Sequence, residues 1–135
     1  MMKAISIRGP WWWMILNIGK IIENRDWPTT QRGRVLIHAS KGMTGDEYMA
    51  AVDFARTAVA PEYRGKGIVV PPWREMKRGG IVGSVEIVDC VRQHDSPWFM
   101  GAYGWVLRDP VVLPFREFRG SLGFFNVPDE YGRAA

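Results

Sequence analysis

Ile81-Val82-Gly83-Ser84-Val85-Glu86-Ile87-Val88-Asp89-Cys90-Val91 is the run that decides the fold. It is rich in β-branched residues and holds no proline, so it reads as a long strand. The chain beyond it keeps the same character, with candidate strands at Gly104–Leu107, Val111–Phe118 and Leu122–Val127. Gly83, Gly101, Gly104, Gly120 and Gly123 suit the bulges and tight turns of a small curled sheet.

Upstream, Val35–Ser40 is the clearest strand, and the alternation of Lys3–Arg8 suits a shorter one. Two helices are expected between strands. Pro10 sits well at a helix start, Trp11 to Ile18 is apolar nearly all round and hence buried, and Gly19 stops it. Thr44 to Glu47 reads as a capping box, in which Thr44 caps the helix and Glu47 reaches back. That helix runs to about Ala60 on an apolar stripe of Tyr48, Val52, Ala55 and Val59, and Pro61 ends it. Ile21–Trp27 forms an extended edge segment, residues 28–33 a loop, and residues 61–79 a long basic connection.

Strands outnumber helices and come mostly last. The expected class is therefore α+β: a small curled β-barrel of about five to seven strands with flanking helices near residues 10–18 and 45–60. Residues 1–128 form a single domain and 129–135 a loose tail, with no internal repeat or domain boundary.

Composition bounds the function. The 135 residues are 47% apolar and 24% charged, a globular balance. The single cysteine, Cys90, excludes an internal disulfide and suits a reducing, cytoplasmic setting. His38 and His94 stand far apart and no metal-ligand spacing occurs, so no metal and no cofactor is expected. The apolar run at Trp11–Leu16 is well short of the ~20 residues of a membrane span and has no cleavage site, so no membrane is expected.

The net charge of +4 is uneven: residues 1–78 hold 13 Lys and Arg against 7 Asp and Glu, residues 79–135 hold 5 against 7. Thirteen of the 18 basic residues are arginine, the better partner for phosphates and base edges. A basic half suggests an anionic partner. A merely soluble basic surface is the plain alternative.

The chemistry concentrates in Gly19-Lys20-Ile21-Ile22-Glu23-Asn24-Arg25. Alternation on a strand puts Glu23, Arg25 and Trp27 on one face, with Lys20 at the turn before it. Such a patch grips a phosphate through Arg25 or Lys20 and stacks a base on Trp27. Glu23 either accepts from a base amino group or holds the two cations in place. An ordinary surface ion pair is the plain reading.

These residues, with Pro10-Trp11, Ile15-Leu16, Arg32-Gly33, Ile37-His38-Ala39, Gly80–Ile87 and Ser96-Pro97-Trp98-Phe99, resemble the ASCH domains, whose G-x-K-x-x-E-x-R signature is assigned to Gly19, Lys20, Glu23 and Arg25. The resemblance implies a PUA-like fold with a cleft lined by the signature residues. It implies binding of RNA or other single-stranded nucleic acid and, in a few small members, hydrolysis of a modified nucleoside. One such group deacetylates N4-acetylcytidine with a Lys, a Thr and a Glu. The Lys matches Lys20, the Thr position holds Glu23, and Asp95 is a candidate for the Glu. As an enzyme the chain would use Lys20 and Glu23, and with Glu23 beside it Lys20 is expected to stay charged, a better anion binder than base.

Accessory candidates are Arg32, His38, Ser40, Glu86 and Asp95. His38 and Ser40 share a strand face, and Lys41 comes next as a phosphate contact or a solvated side chain. Glu86 either faces the cleft, where loss of water would raise its pKa, or pairs with an arginine. Trp98, beside a polar loop, is expected with Trp27 to stack a base, while Trp11, Trp12, Trp13 and Trp105 serve the core. The leading reading is an RNA-binding module. The alternatives are a nucleoside or RNA hydrolase and, third, a protein-interaction module.

Overall fold

The computed structural model describes residues 1–59 and 69–134. Arg64 and Lys66, expected in the basic connection, lie outside them, as do Ala60 and Pro61.

Six strands form one mixed sheet: β1 (Met2–Ile7), β2 (Ile22–Arg25), β3 (Gly33–Ala39), β4 (Gly80–Val91), β5 (Tyr103–Glu117) and β6 (Phe124–Val127), in the order β2-β5-β4-β3-β1-β6. All neighbouring pairs are antiparallel except β1 with β3. Helix α1 is Trp11–Asn17 and α2 is Gly45–Phe54, continued by a π-helical turn over Ala55–Val59.

The class is α+β as expected, but the sheet is not a closed barrel. β2 and β6 are its two ends and share no ladder. The sheet curls until those ends meet through side chains. Trp105 of β5 stacks on Phe124 of β6 with centroids 5.4 Å apart, and Trp27, just past β2, stands edge-on to both rings. Aromatic packing fills the seam that hydrogen bonds would close in a barrel.

The concave side holds the main core, where Ile5, Val35, Ile37, Val85 and Trp105 meet Trp12, Ile15 and Leu16 of α1. A second cluster joins α1 to α2 through Met14, Ile18, Val52 and Ala55. The capping box is only half formed. Thr44 Oγ1 accepts from the Glu47 amide at 3.1 Å, but the Glu47 carboxylate turns to Arg8, with Nη2 2.6 Å from Oε2. A charged guanidinium outcompetes an amide for that carboxylate.

Gly104–Leu107 and Val111–Phe118, expected as two strands, are one. Asp109 takes φ 54° ahead of Pro110, and the register with β4 shifts beside it. A bulge absorbs the Asp-Pro break without ending the strand. Within the tail expected to be loose, Asp129–Gly132 forms a 3-10 turn. Tyr131 packs edge-on to Phe118 at 5.2 Å, and the Glu130 carbonyl accepts from Arg116 at 2.6 Å.

Among the described residues no helix is long and apolar enough to cross a membrane.

Candidate functional site

The seam of the sheet is where the charged residues gather. Gly19 takes φ 75°, which ends α1 and turns the chain into β2. Lys20 lies at that turn and swings inward. Its Nζ donates to the Ile22 carbonyl and lies 3.4 Å from Glu23 Oε1, with the Trp11 ring centroid 5.5 Å away. Glu23 and Arg25 share a face of β2, as the alternation requires, and Arg25 Nε donates to Glu23 Oε2 at 3.0 Å. Arg25 Nη2 also reaches across the seam to the Ser6 carbonyl of β1 at 2.8 Å.

Lys20 is 3% exposed and Glu23 7%. Their burial decides the electrostatics. Two cations share one carboxylate, so with Lys20 protonated the cluster carries one positive charge in excess. Loss of water pulls the Lys20 pKa below its ordinary value; Glu23 opposes this, and Arg25 adds to it. Burial outweighs the opposing pull of Glu23 on this pKa.

A pocket of about 220 Å³ opens on this cluster, lined also by Ser6, Arg8, Trp11, Asn24 and Met100. That is below the ~300 Å³ lower end of drug-sized sites, and suits one small heterocycle. Trp27 is 39% exposed and does not line this pocket; it stands beyond Arg25, whose guanidinium carbon lies 6.0 Å from its ring centroid.

Several expected residues stand elsewhere. Trp98 is 3% exposed and packs in the second core cluster, so it offers no face to a ligand. The reason is Asn24. Its Nδ2 donates to the Trp98 carbonyl at 2.9 Å, and its Oδ1 accepts from the amides of Met100 and Gly101, which draws that loop onto β2. Glu86 pairs with its cross-strand partner Arg108, Nε to Oε1 at 2.9 Å, and takes no part in lining the seam pocket. That hydrogen bond lowers its pKa, where a desolvated carboxylate would have been raised.

Arg32 is exposed and bonds to carbonyls of its own loop, with Asp89 3.9 Å away. His38 and Ser40 line a separate, larger cleft on the other side of Ser6, and His38 bonds to Ser6 rather than to Ser40. Asp95 is exposed and lines neither the seam pocket nor that cleft.

Ser6, Arg8 and Asn24 escaped the sequence reading. Ser6 and Arg8 belong to a short alternating stretch in which they look like ordinary solvent-facing positions. Asn24 points to the opposite face from its charged neighbours and gives no chemical signal. Among the described residues no three His, Cys, Asp or Glu come together as a metal site.

The family model of the ASCH domain matches residues 5–108, which span the whole Lys20–Arg25 cluster and most of the sheet. Lys20, Glu23 and Arg25 keep the K-x-x-E-x-R spacing, while Gly19 adjoins Lys20 directly, one position later than a G-x-K spacing places it. No curated protein matches the chain significantly.

Proposed function

Because the chain belongs to the ASCH domain family, a PUA-like family of RNA-binding or hydrolase type, we propose that it is a nucleic-acid-binding module that takes single-stranded RNA at the seam pocket. The observation that carries this reading is the charge imbalance of the buried cluster, in which Lys20 and Arg25 share Glu23 alone. A base enters the pocket and its edge meets the Glu23 carboxylate, the exposed Trp27 beyond Arg25 takes a neighbouring base, and the strand's negative charge answers the surplus cation. RNA is preferred to DNA on the family resemblance.

Titration of labelled oligouridine at about 50 and about 200 mM salt tests it. Counterion release makes affinity fall by orders of magnitude over that range when several phosphates are contacted. Arg25→Ala weakens binding at both concentrations. Binding indifferent to salt, or none at low salt, overturns the reading.

One observation favours a second reading, hydrolysis of a modified nucleoside such as N4-acetylcytidine: the lowered pKa of Lys20 suits a base or nucleophile. Against it, Glu23 is the one carboxylate among the described residues lining the pocket, and Arg25 and Lys20 already occupy it. Rapid cytidine release that Lys20→Ala abolishes establishes the enzyme; feeble or no release is expected.

A further inference from the structure

β1 and β3 run parallel with Ser6 opposite His38. Ser6 Oγ lies 2.9 Å from His38 Nδ1, and His38 Nε2 lies 2.7 Å from the Phe118 carbonyl oxygen. A carbonyl only accepts, so Nε2 carries a proton. Burial holds the imidazole pKa below its ordinary value; the Phe118 carbonyl opposes this and Lys41 reinforces it. In the neutral ring Nδ1 is then the acceptor, and the Ser6 hydroxyl donates to it.

Beyond this pair opens a cleft of about 1000 Å³, walled on one side by Lys41 and Arg78 and on the other by Glu117, Arg119 and Ser121. Three cations face one carboxylate, and none of the three has an ion-pair partner among the described residues. Arg78 is fixed in place: its guanidinium donates to the carbonyls of Met43 and Trp73 at 3.2 Å and lies 5.3 Å from the Trp73 ring centroid. Those partners orient the guanidinium without neutralising it. The Lys41 stem lies over Gly79, where a Cβ would come within 2.9 Å of Lys41 Cε. Gly120 brings the opposite wall onto the pair, where a Cβ would meet His38 Cε1 at 2.6 Å.

Ser6 is the hinge of the arrangement. It lines this cleft through the hydroxyl side and also lines the Lys20 pocket, where Arg25 holds its carbonyl. A strand that leaves a base in the seam pocket meets the cationic cleft on the other side of one residue.

We propose that the Lys41–Arg78–Arg119 cleft is a phosphodiester subsite for the strand whose base occupies the Lys20–Arg25 pocket. This rests on the RNA-binding reading and adds a second anchoring point to it. Lys41 and Arg119, both exposed and free of counter-charges, donate charge-assisted hydrogen bonds to the phosphate oxygens, and Arg78 supplies a fixed charge behind them. The neutral His38 ring spaces the two sites without adding a charge.

The test uses the full chain and the double variant Lys41→Ala with Arg119→Ala, whose exposed positions leave the core untouched. Two probes are used: inorganic phosphate followed by backbone-amide NMR, and labelled oligouridine followed by anisotropy across a salt series. Phosphate is expected to shift the amides of Lys41, Gly79 and Arg119 in the wild type and not in the variant. Oligouridine affinity falls about tenfold in the variant, and its salt slope becomes shallower by about 1.4, two single-strand contacts' worth. Unchanged oligouridine affinity and slope in the variant, or phosphate shifts confined to Lys20–Arg25, overturn the subsite and leave the RNA-binding reading standing. No oligouridine binding by the wild type overturns both.

Discussion

Arg25 donates to the backbone carbonyl of Ser6 at 2.8 Å and so spans the open seam between the first and fifth strands of the sheet order. The same guanidinium binds Glu23 at 3.0 Å and lies 5.2 Å from the Trp105 ring centroid. One side chain therefore joins the edge of the fold to the charge balance of the pocket, and structure and binding are coupled there.

Arg25→Ala should lower stability by about 2 kcal/mol, because it strands a largely buried Glu23 with Lys20 alone and frees the Ser6 carbonyl. Arg25→Lys keeps the charge but not the fork, and should recover only part of it. Urea midpoints of the three proteins check the order.

The two tryptophans expected to stack should differ in binding, although Trp27 also packs on Trp105 and Phe124 at the seam. Trp27→Ala costs roughly 1–3 kcal/mol of RNA affinity if the ring carries a base. Trp98→Ala, in the core, costs about 3–5 kcal/mol of stability. Parallel binding and unfolding measurements on both variants decide whether the roles divide in this way.

Glu23 is the group that holds the Lys20 pKa up against burial. Glu23→Gln should therefore lower it further. The pH profile of amine modification at Lys20, read by mass spectrometry, should move to lower pH in the variant. A lysine with a depressed folded pKa takes up fewer protons folded than unfolded, so its contribution to stability rises with pH from the folded value up to the ordinary one near 10.5. An unmoved profile would mean that the ion pair is absent in solution.

His38 works in the acid range. Its folded pKa lies below the ordinary 6.5, so the unfolded chain binds the extra proton first as pH falls. Stability should decline as pH drops through 6.5 toward the folded value. His38→Gln should flatten that limb, measured as unfolding free energy at pH 5 and pH 7.

How much of this is legible in the sequence depends on how local each relationship is. The Glu23–Arg25 pairing needs only strand alternation, and α1 needs only an unbroken apolar run ended by glycine, so both are readable. The Ser6–His38 bond depends on the parallel register of β1 on β3, set by strands far apart in sequence. Trp98 is misplaced by the sequence because its neighbours Ser96 and Pro97 suggest a surface loop, whereas Asn24, on another strand, pulls that loop inward. The unclosed sheet is hidden for a similar reason. Strand count suggests a barrel, but closure depends on whether the end strands pair, and here aromatic rings stand between them.

The long β5 strand has a further consequence. β2 covers its outer edge only as far as the Ile21 carbonyl bonded to the Leu107 amide, and among the described residues no strand pairs with that edge beyond it. Such a row of open backbone groups invites another chain to add itself to the sheet. This stretch carries Pro110 and Pro114, which have no backbone N–H to offer, the Asp109 bulge breaks its regular spacing, and Arg108, Asp109, Arg116 and Glu117 put charges beside it. The bend that lets a single strand run through the Asp-Pro sequence also makes this edge a poorer template for another chain's strand than a flat, apolar one.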